Sequence, residues 1–487
     1  MQNRLNDAEL DERARRTMIE NGLEPDLSAD VRREVALLAD ERESAVLSND
    51  LRGLLWSSID NKSSRDLDQV EYAERRENGD IRVLVGVADV DHLVKRGSAI
   101  DRHAAKNTVT VYTESEIFPL LPEELSTDLT SLNEGSDRAA IIVELLIKAN
   151  GDVPGNKVFA GTVRNQAKLA YSETGAWLEN SSPAPQKIDQ TPALKEQILL
   201  QSEAAQRLHK FRREKGALEF ESIESSPVVV DGEISDIESV RPDPAKKIIE
   251  NFMIAANVEM AEFLEAHDSL SIRRIVRTPQ RWDGIRRVAA EFGTNLPAEP
   301  DALALADFLA KRRSEDPLHY PDLSLSIIKL IGSGEYVVQR PGEVSSGHFG
   351  LAVRDYSHST APNRRFSDLV VQRLVKAKLN GEPDPYTEDE LTAIAAHCNV
   401  QERAARKVER KMRKIVAANV MRRRIGQSFD AIVTGKSDRG TYARILRPPV
   451  DGRIVKGEDR VDVGEKIGVK LLDADPRTGF IDLGYSG

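Results

Sequence analysis

From Glu388 to Ile425 the chain contains neither Gly nor Pro. A run of that length without a breaker has one regular conformation open to it, a long helix. Its middle is strongly basic, carrying Arg403, Arg406, Lys407, Arg410, Lys411, Arg413 and Lys414, with Glu402 and Glu409 interspersed. A solvated helix face is the plain reading, and a face that contacts phosphates is the alternative. Past Gly426 the rhythm changes to short strands separated by Gly turns: Phe429–Thr434, Thr441–Ile445, Gly452–Val455, Ile467–Leu472 and Phe480–Leu483. Five strands in about sixty residues is the size and spacing of an OB barrel, although a small barrel used only for packing has the same pattern.

Before the long helix, short strands and helices mix between Leu51 and about Leu379. The strand candidates are Ile81–Ala88, Thr108–Tyr112, Ala139–Ile147 and Val158–Arg164. A helical stretch is expected at Glu173–Glu179, an exposed Ser/Pro-rich loop at Asn180–Pro192, and strong helices at Pro242–Leu264 and Arg364–Leu379. Residues 1–48 read as two or three amphipathic helices separated near Pro25. The expected fold class is α+β, in four segments: 1–48 helical, 49–385 mixed, 386–425 basic and helical, 426–487 a five-stranded barrel.

The net charge of −11 argues against a protein that coats nucleic acid indiscriminately. It leaves a nucleic-acid enzyme open, because binding depends on local basic grooves. Cys398 is the only cysteine, so no intrachain disulfide can form. The N-terminus lacks the apolar stretch of a signal peptide, and no segment approaches the ~20 apolar residues of a membrane helix. A cytoplasmic protein with no membrane contact is expected.

Chemistry concentrates in Asp60-Asn61-Lys62-Ser63-Ser64-Arg65-Asp66-Leu67-Asp68-Gln69, where three carboxylates fall within nine residues. Asp66 and Asp68 are two apart, which points both to one side of an extended backbone. Anions brought this close repel unless a cation sits between them, and oxygen ligands suit Mg²⁺ or Mn²⁺ better than Zn²⁺. An EF-hand is excluded because its D-x-D-x-D-G spacing is missing. On spacing alone a solvated acidic turn is the simpler reading and a cation site the alternative.

This stretch, followed by Leu84-Val85-Gly86-Val87-Ala88-Asp89-Val90-Asp91-His92, resembles the ribonuclease II (RNB) family. Further matches stand in the same order: Pro119-Leu120-Leu121-Pro122 through Ser126, Ser131-Leu132-Asn133, Ala167-Lys168-Leu169-Ala170-Tyr171 and Gly216-Ala217-Leu218-Glu219-Phe220. Ile249-Glu250-Asn251 through Asn257, His348-Phe349-Gly350-Leu351-Ala352, and Thr360 through Asp368 complete the set. The resemblance implies an RNB catalytic domain closed by a ribosomal S-one-type OB barrel. It implies a Mg²⁺-dependent hydrolytic 3′→5′ exoribonuclease that degrades single-stranded RNA to nucleoside 5′-monophosphates. Carried over residue by residue, Asp60, Asp66 and Asp68 hold metal, Asp68 serves the chemical step, and Arg364 neutralises the transition-state phosphate. Tyr112 and Phe220 are expected to stack the 3′-terminal bases, Tyr171 to contact RNA, and Glu250 to meet a ribose hydroxyl. Core packing is the competing reading for Phe220. Tyr442 is a further stacking candidate in the barrel.

Three departures qualify these expectations. The family signature ends Asp-x-Asp-Asp, whereas this chain has Gln69 in the last position, a neutral carbonyl that binds Mg²⁺ more weakly or through a water. An RNA-binding protein with weak or no catalysis is the corresponding alternative. The family's N-terminal cold-shock barrels have no counterpart, and Arg439 stands where the C-terminal barrel often carries an aromatic.

Overall fold

The computed structural model describes residues 5–39, 49–155, 157–221, 224–230, 233–240, 243–438 and 440–487. Residues 1–4 and 40–48 of the expected helical segment, Pro242 and Arg439 lie outside them. Helix α1 (Asp7–Glu20) starts with a capping box between Asn6 and Glu9, and α2 (Ala29–Ala39) follows. The two helices serve different cores. Leu10, Ala14 and Met18 of α1 pack with the C-terminal part of the chain, while Val31 and Val35 of α2 pack on the middle segment.

Next come β1 (Trp56–Asp60), β2 (Gln69–Arg75), β3 (Ile81–Ala88), α3 (Ala99–Asn107), the short β4 (Val111–Tyr112) and β5 (Ile117–Phe118), β6 (Asp137–Ile147) and β7 (Lys157–Ala170). Strands β1, β2, β3, β6 and β7 close into a barrel. Four of its pairings are antiparallel, and β7 returns parallel to β1 with Ala170 beside Asp60. Strand β3 is buried along nearly its whole length, because inward side chains fill the barrel and helices cover the outside. At Gly86 a Cβ would sit 3.2 Å from Val70 Cγ2, so any larger residue there would press on the barrel filling.

Helices α4 (Tyr171–Leu178), α5 (Gln186–Asp189) and α6 (Pro192–Glu214), the hairpin β8 (Glu224–Val230) and β9 (Glu233–Val240), and α7 (Pro244–Ala266) follow. Strand β2 pairs with β1 only at Ser57–Glu71, and the edge it then exposes is taken by Gln197 of α6, which bonds both backbone groups of Ala73. Asp243 caps α7 by accepting from Ala245 N, and its carboxylate lies where a Cβ at Gly175 of α4 would clash.

Strand β10 (Ser271–Ile275), helices α8 (Trp282–Glu291), α9 (Ala302–Glu315) and α10 (Tyr320–Ile331), and β11 (Glu335–Gln339) complete the middle segment before α11 (Phe366–Leu379). Helices α8 to α10 have a small core of their own around Trp282, Ile285, Phe308 and Ile327. Helix α12 (Glu388–Met421) is 34 residues long and ends in a 3₁₀ turn. Its first half contributes Leu391, Ala395 and Cys398 to the core of the first barrel, and its second half packs on the C-terminal one. That second barrel closes from β12 (Ser428–Ser437), β13 (Gly440–Ile445), β14 (Val450–Lys456), β15 (Lys466–Asp475) and β16 (Phe480–Tyr485). Among the described residues no helix is long and apolar enough to cross a membrane.

Several local expectations change. The predicted loop Asn180–Pro192 contains α5 and runs into α6, whose apolar positions are interrupted by Gln, Glu and Arg. The predicted strand Thr108–Tyr112 shrinks to two residues, because Thr108 takes a left-handed conformation (φ 63°) at the end of α3. The strand expected at Val158–Arg164 instead continues to Ala170, drawn out by its parallel pairing with β1.

Candidate active site

At the rim of the first barrel, the end of β1 and the start of β2 are joined by an irregular loop that carries the acids. Asp60, Asp66, Asp68 and Gln69 line one cleft of about 450 Å³ together with Tyr112, Tyr171, Glu250 and Arg364. Lys246, Thr360 and Met253 are also among its walls. Eight of the ten residues named as site candidates from sequence therefore meet here. Phe220 does not line the cleft; it is half-buried against the α8–α10 core. Tyr442 lies on β13 of the second barrel, 37% exposed.

The acid loop is held by residues from distant motifs. Ser131 Oγ accepts from Leu67 N (2.9 Å) and donates to Arg65 O (2.7 Å), and Leu132 N donates to Leu67 O. Lys168 Nζ donates to Ser64 O. On the opposite wall, Asn257 of α7 accepts from both N and Oγ of Ser359 at 2.8 Å. Buried Asp368 accepts from Ala361 N (2.9 Å) and pairs with Arg365. Bonds from both ends fix the segment between, which presents Arg364. Ser131, Lys168, Asn257 and Asp368 thus belong to recognisable sequence segments because they shape the cleft wall.

Asp68 is 3% exposed. It accepts from Asn363 N (3.1 Å) and from Arg364 Nε (3.1 Å). Burial pushes its carboxyl up to about 6; Arg364 opposes the shift and Asp66 adds to it. Asp66 is also raised, first by burial and further by Asp60. Asp60 accepts from Asn61 N (2.6 Å) and Ser64 Oγ (2.9 Å). The hydroxyl of Tyr112 is raised by burial, although the residue as a whole is 41% exposed. Its backbone N–H donates to Glu409 of α12. Lys246 stands 5.9 Å over the Tyr171 ring, and Glu250, one turn on, pairs with Lys247 at 2.8 Å. Lys246 escaped the sequence reading, although its spacing four before Glu250 puts both on one helix face.

The acids offer oxygen ligands only, the donor chemistry of Mg²⁺ or Mn²⁺, and the upward push of Asp60 on Asp66 is that of anions crowded together. Their spacing is not that of a formed ligand shell. Among the described residues no group of three or more His, Cys, Asp or Glu side chains is placed to hold a metal ion. The donor types fit a hard dication.

The basic residues of α12 are exposed, and three of them are engaged: Arg406 with Glu402, Lys411 with Glu20 and Arg413 with Glu114. This part of the helix braces α1 and the segment that carries Tyr112.

Residues 48–381 match the RNB domain model, and residues 427–486 match the RNase II-type exonuclease C-terminal S1 domain. Ribonuclease R of Escherichia coli (strain K12) is 29% identical over 442 residues, covering 87% of this chain and 53% of the relative. The chain thus spans about half the length of the curated relatives it matches. Mycoplasma genitalium RNase R in complex with ribose methylated single-stranded RNA superposes with a TM-score of 0.85 at 22% identity, covering 98% of this chain and 78% of that one. Yeast Ssd1, described as a pseudonuclease, superposes with a TM-score of 0.66 at 17% identity, covering 91% and 54%. At these identities the two structures speak for the fold alone. The RNB model takes in most of the sequence and all the residues that line the cleft, and the chain belongs to the RNB family.

Proposed function

We propose that the protein is a hydrolytic 3′→5′ exoribonuclease that degrades single-stranded RNA to nucleoside 5′-monophosphates, with Mg²⁺ as cofactor and Mn²⁺ as its substitute. The observation that carries this reading is the meeting of Asp60, Asp66 and Asp68 with Arg364, Tyr112 and Tyr171 around one cleft. Cation ligands, an anion clamp and stacking surfaces are what phosphodiester hydrolysis at an RNA end needs. A dication held by the three acids would supply an activated water and neutralise the leaving 3′-oxygen.

The protein's own groups do the rest. Arg364 is tethered to Asp68 through Nε, and its two terminal nitrogens have no partner among the described residues. That leaves the outer fork free to take phosphate oxygens while Asp68 fixes its direction. Tyr112 and Tyr171 offer ring faces at the mouth, where stacking tolerates any base and is worth ~1–3 kcal/mol per base. Lys246 adds positive charge beside Tyr171 for the RNA backbone. Glu250, exposed on α7, can exchange Lys247 for a ribose hydroxyl, which would favour RNA over DNA. The single buried cysteine, whose thiol burial pushes up to about 12, suits work in the reducing cytoplasm.

Incubating 5′-labelled single-stranded RNA with Mg²⁺ or with EDTA tests the reading. A ladder that shortens from the 3′ end only with metal is expected. A second reading, an RNA-binding protein with weak or no catalysis, is favoured by Gln69, which lines the cleft where the family signature has an acid. Intact RNA that still shifts on a native gel would support that reading instead.

A further inference from the structure

Beside the acid cleft lies a second, smaller cavity of about 320 Å³. That volume is at the low end for small-molecule sites and too small for an oligonucleotide. The two cavities share Asn61, Tyr171 and Lys246, which form the partition between them. Charge in the second chamber is sorted. Lys246 on the partition and Lys62, next to Asn61, bring two positive charges to the side toward the cleft. Asp243 and Glu179, which the cleft does not share, line the far side. Burial raises the Asp243 carboxyl and Glu179 adds to the rise, so the two acids stand near each other. Asn61, Lys62, Ser172 and Glu179 are exposed, which opens the chamber to solvent. Lys62 pairs with Glu173 at 2.9 Å, with side chains 81% and 50% exposed. A pair that exposed is worth about 0–1 kcal/mol, so a stronger anion displaces Glu173.

Cutting RNA from its end raises a problem of traffic. The scissile phosphate becomes the 5′-phosphate of the product, and the shortened RNA still fills the cleft. A product that shares the RNA's way in must wait for the RNA to leave. A side chamber removes that wait. We propose that the chamber behind Tyr171 binds a nucleoside 5′-monophosphate and is the path by which the product leaves while RNA stays in the cleft. The phosphate, set free beside Asp60, passes to Lys246 and Lys62, the nearest cations that both cavities and the acid loop offer. Tyr171 lends its ring to the base. Asp243 and Glu179 accept from ribose hydroxyls or base amino groups and repel phosphate, which fixes the direction of entry and keeps the hold weak enough for release. This role rests on the exoribonuclease reading and adds to it a route for the product.

The test uses the full chain carrying Asp68→Asn, saturated with single-stranded RNA so that the cleft is filled, and titrated with radiolabelled 5′-AMP by equilibrium dialysis. One equivalent should bind, and adenosine should bind about tenfold more weakly or worse, the worth of one charge-assisted contact. Adding Ser172→Trp, which fills the chamber, should abolish this binding, and adding Lys62→Ala should weaken it about tenfold. Both variants should melt like their parent; if Ser172→Trp melts lower, Lys62→Ala decides. With Asp68 intact, Ser172→Trp should slow multiple turnover about tenfold while the first cut in a single turnover keeps the parental rate. The proposal is overturned if the RNA-filled chain binds no 5′-AMP, or binds it equally in both variants. Binding that Ser172→Trp removes without slowing turnover would mark a site for free nucleotide from solution and overturn the exit role. If the parent chain with Mg²⁺ does not shorten RNA, the exoribonuclease reading itself fails, whatever 5′-AMP does, and the product role goes with it.

Discussion

Two closed five-stranded barrels, one with the acid-lined cleft at its rim and one at the C-terminal end of the chain, both have four antiparallel pairings and one parallel. They differ in what covers them. The first is wrapped by α4, α6, α7 and α11, so the acids at its rim sit in a walled cleft, with Asp68 almost fully buried. The second keeps much of its outer face in solvent, with Tyr442 37% and Phe480 69% exposed. A walled rim lowers the local dielectric and makes each charge count more, which suits chemistry. An open wall with accessible rings suits a grip that any base can enter. Under the proposed function, the same architecture divides into a chemical end and a holding end by its covering.

The largest effect should come from splitting those two duties at Asp68. Asp68→Asn keeps the shape and the bond from Asn363 but removes the charge. Hydrolysis under single-turnover conditions should fall by about 10²–10³-fold or more, while RNA affinity on a filter stays within about twofold. A variant that cuts at the parental rate removes Asp68 from the mechanism. The acidity of the site gives the next largest effect. Burial holds the Asp68 carboxyl at about 6, so the ionised form is lost as the pH falls through that value. The rate should decline by about tenfold per pH unit below 6. Because a cation favours the carboxylate, raising Mg²⁺ should move the inflection to lower pH. An inflection that ignores Mg²⁺ would place Asp68 away from the ion.

Stacking distinguishes the two ends more finely. Tyr112→Ala takes a ring from the mouth of the cleft and should cost ~1–3 kcal/mol of binding to a short RNA, together with a lower rate at saturation. Tyr442→Ala should weaken only longer RNAs that reach the second barrel and leave the saturated rate unchanged. Equal losses on a short RNA would mean that both rings serve one binding site.

What could be read in advance follows the range of the signal. Strand Ile81–Ala88 has the same bounds in the sequence pattern and in the structure, since its apolar run is local. The acids and Arg364 were legible because each stands in a segment with its own order of residues. The closure of the first barrel was not, since β1 pairs with β7 more than a hundred residues away and no periodicity records such a partner. Helix α6 hid because its inward face includes polar Gln201, which serves the barrel edge. Phe220 was ambiguous for a physical reason: a ring beside apolar residues looks the same in sequence whether it faces a base or a core, and here it stands half-buried at the edge of one.

The smallest effect concerns how the holding end is joined to the rest. Arg444 on β13 forms a two-pronged pair with Asp322 on α10, at 2.8 and 2.9 Å, with side chains 12% and 23% exposed. A half-buried, bidentate pair is worth more than an exposed one, so Arg444→Ala should cost about 1–2 kcal/mol. How that loss appears depends on whether the second barrel melts alone. Its core runs on without a gap into α12 through Val408, Met412 and Ile415, and into α1 through Leu10 and Met18. Helix α12 in turn anchors in the first core through Leu391 and Cys398. A break at Arg444 therefore leaves the main joint intact, and calorimetry should show one transition at a lower temperature. Two separated transitions would mean that the Arg444–Asp322 pair, and not the helix, couples the holding end to the chemical end.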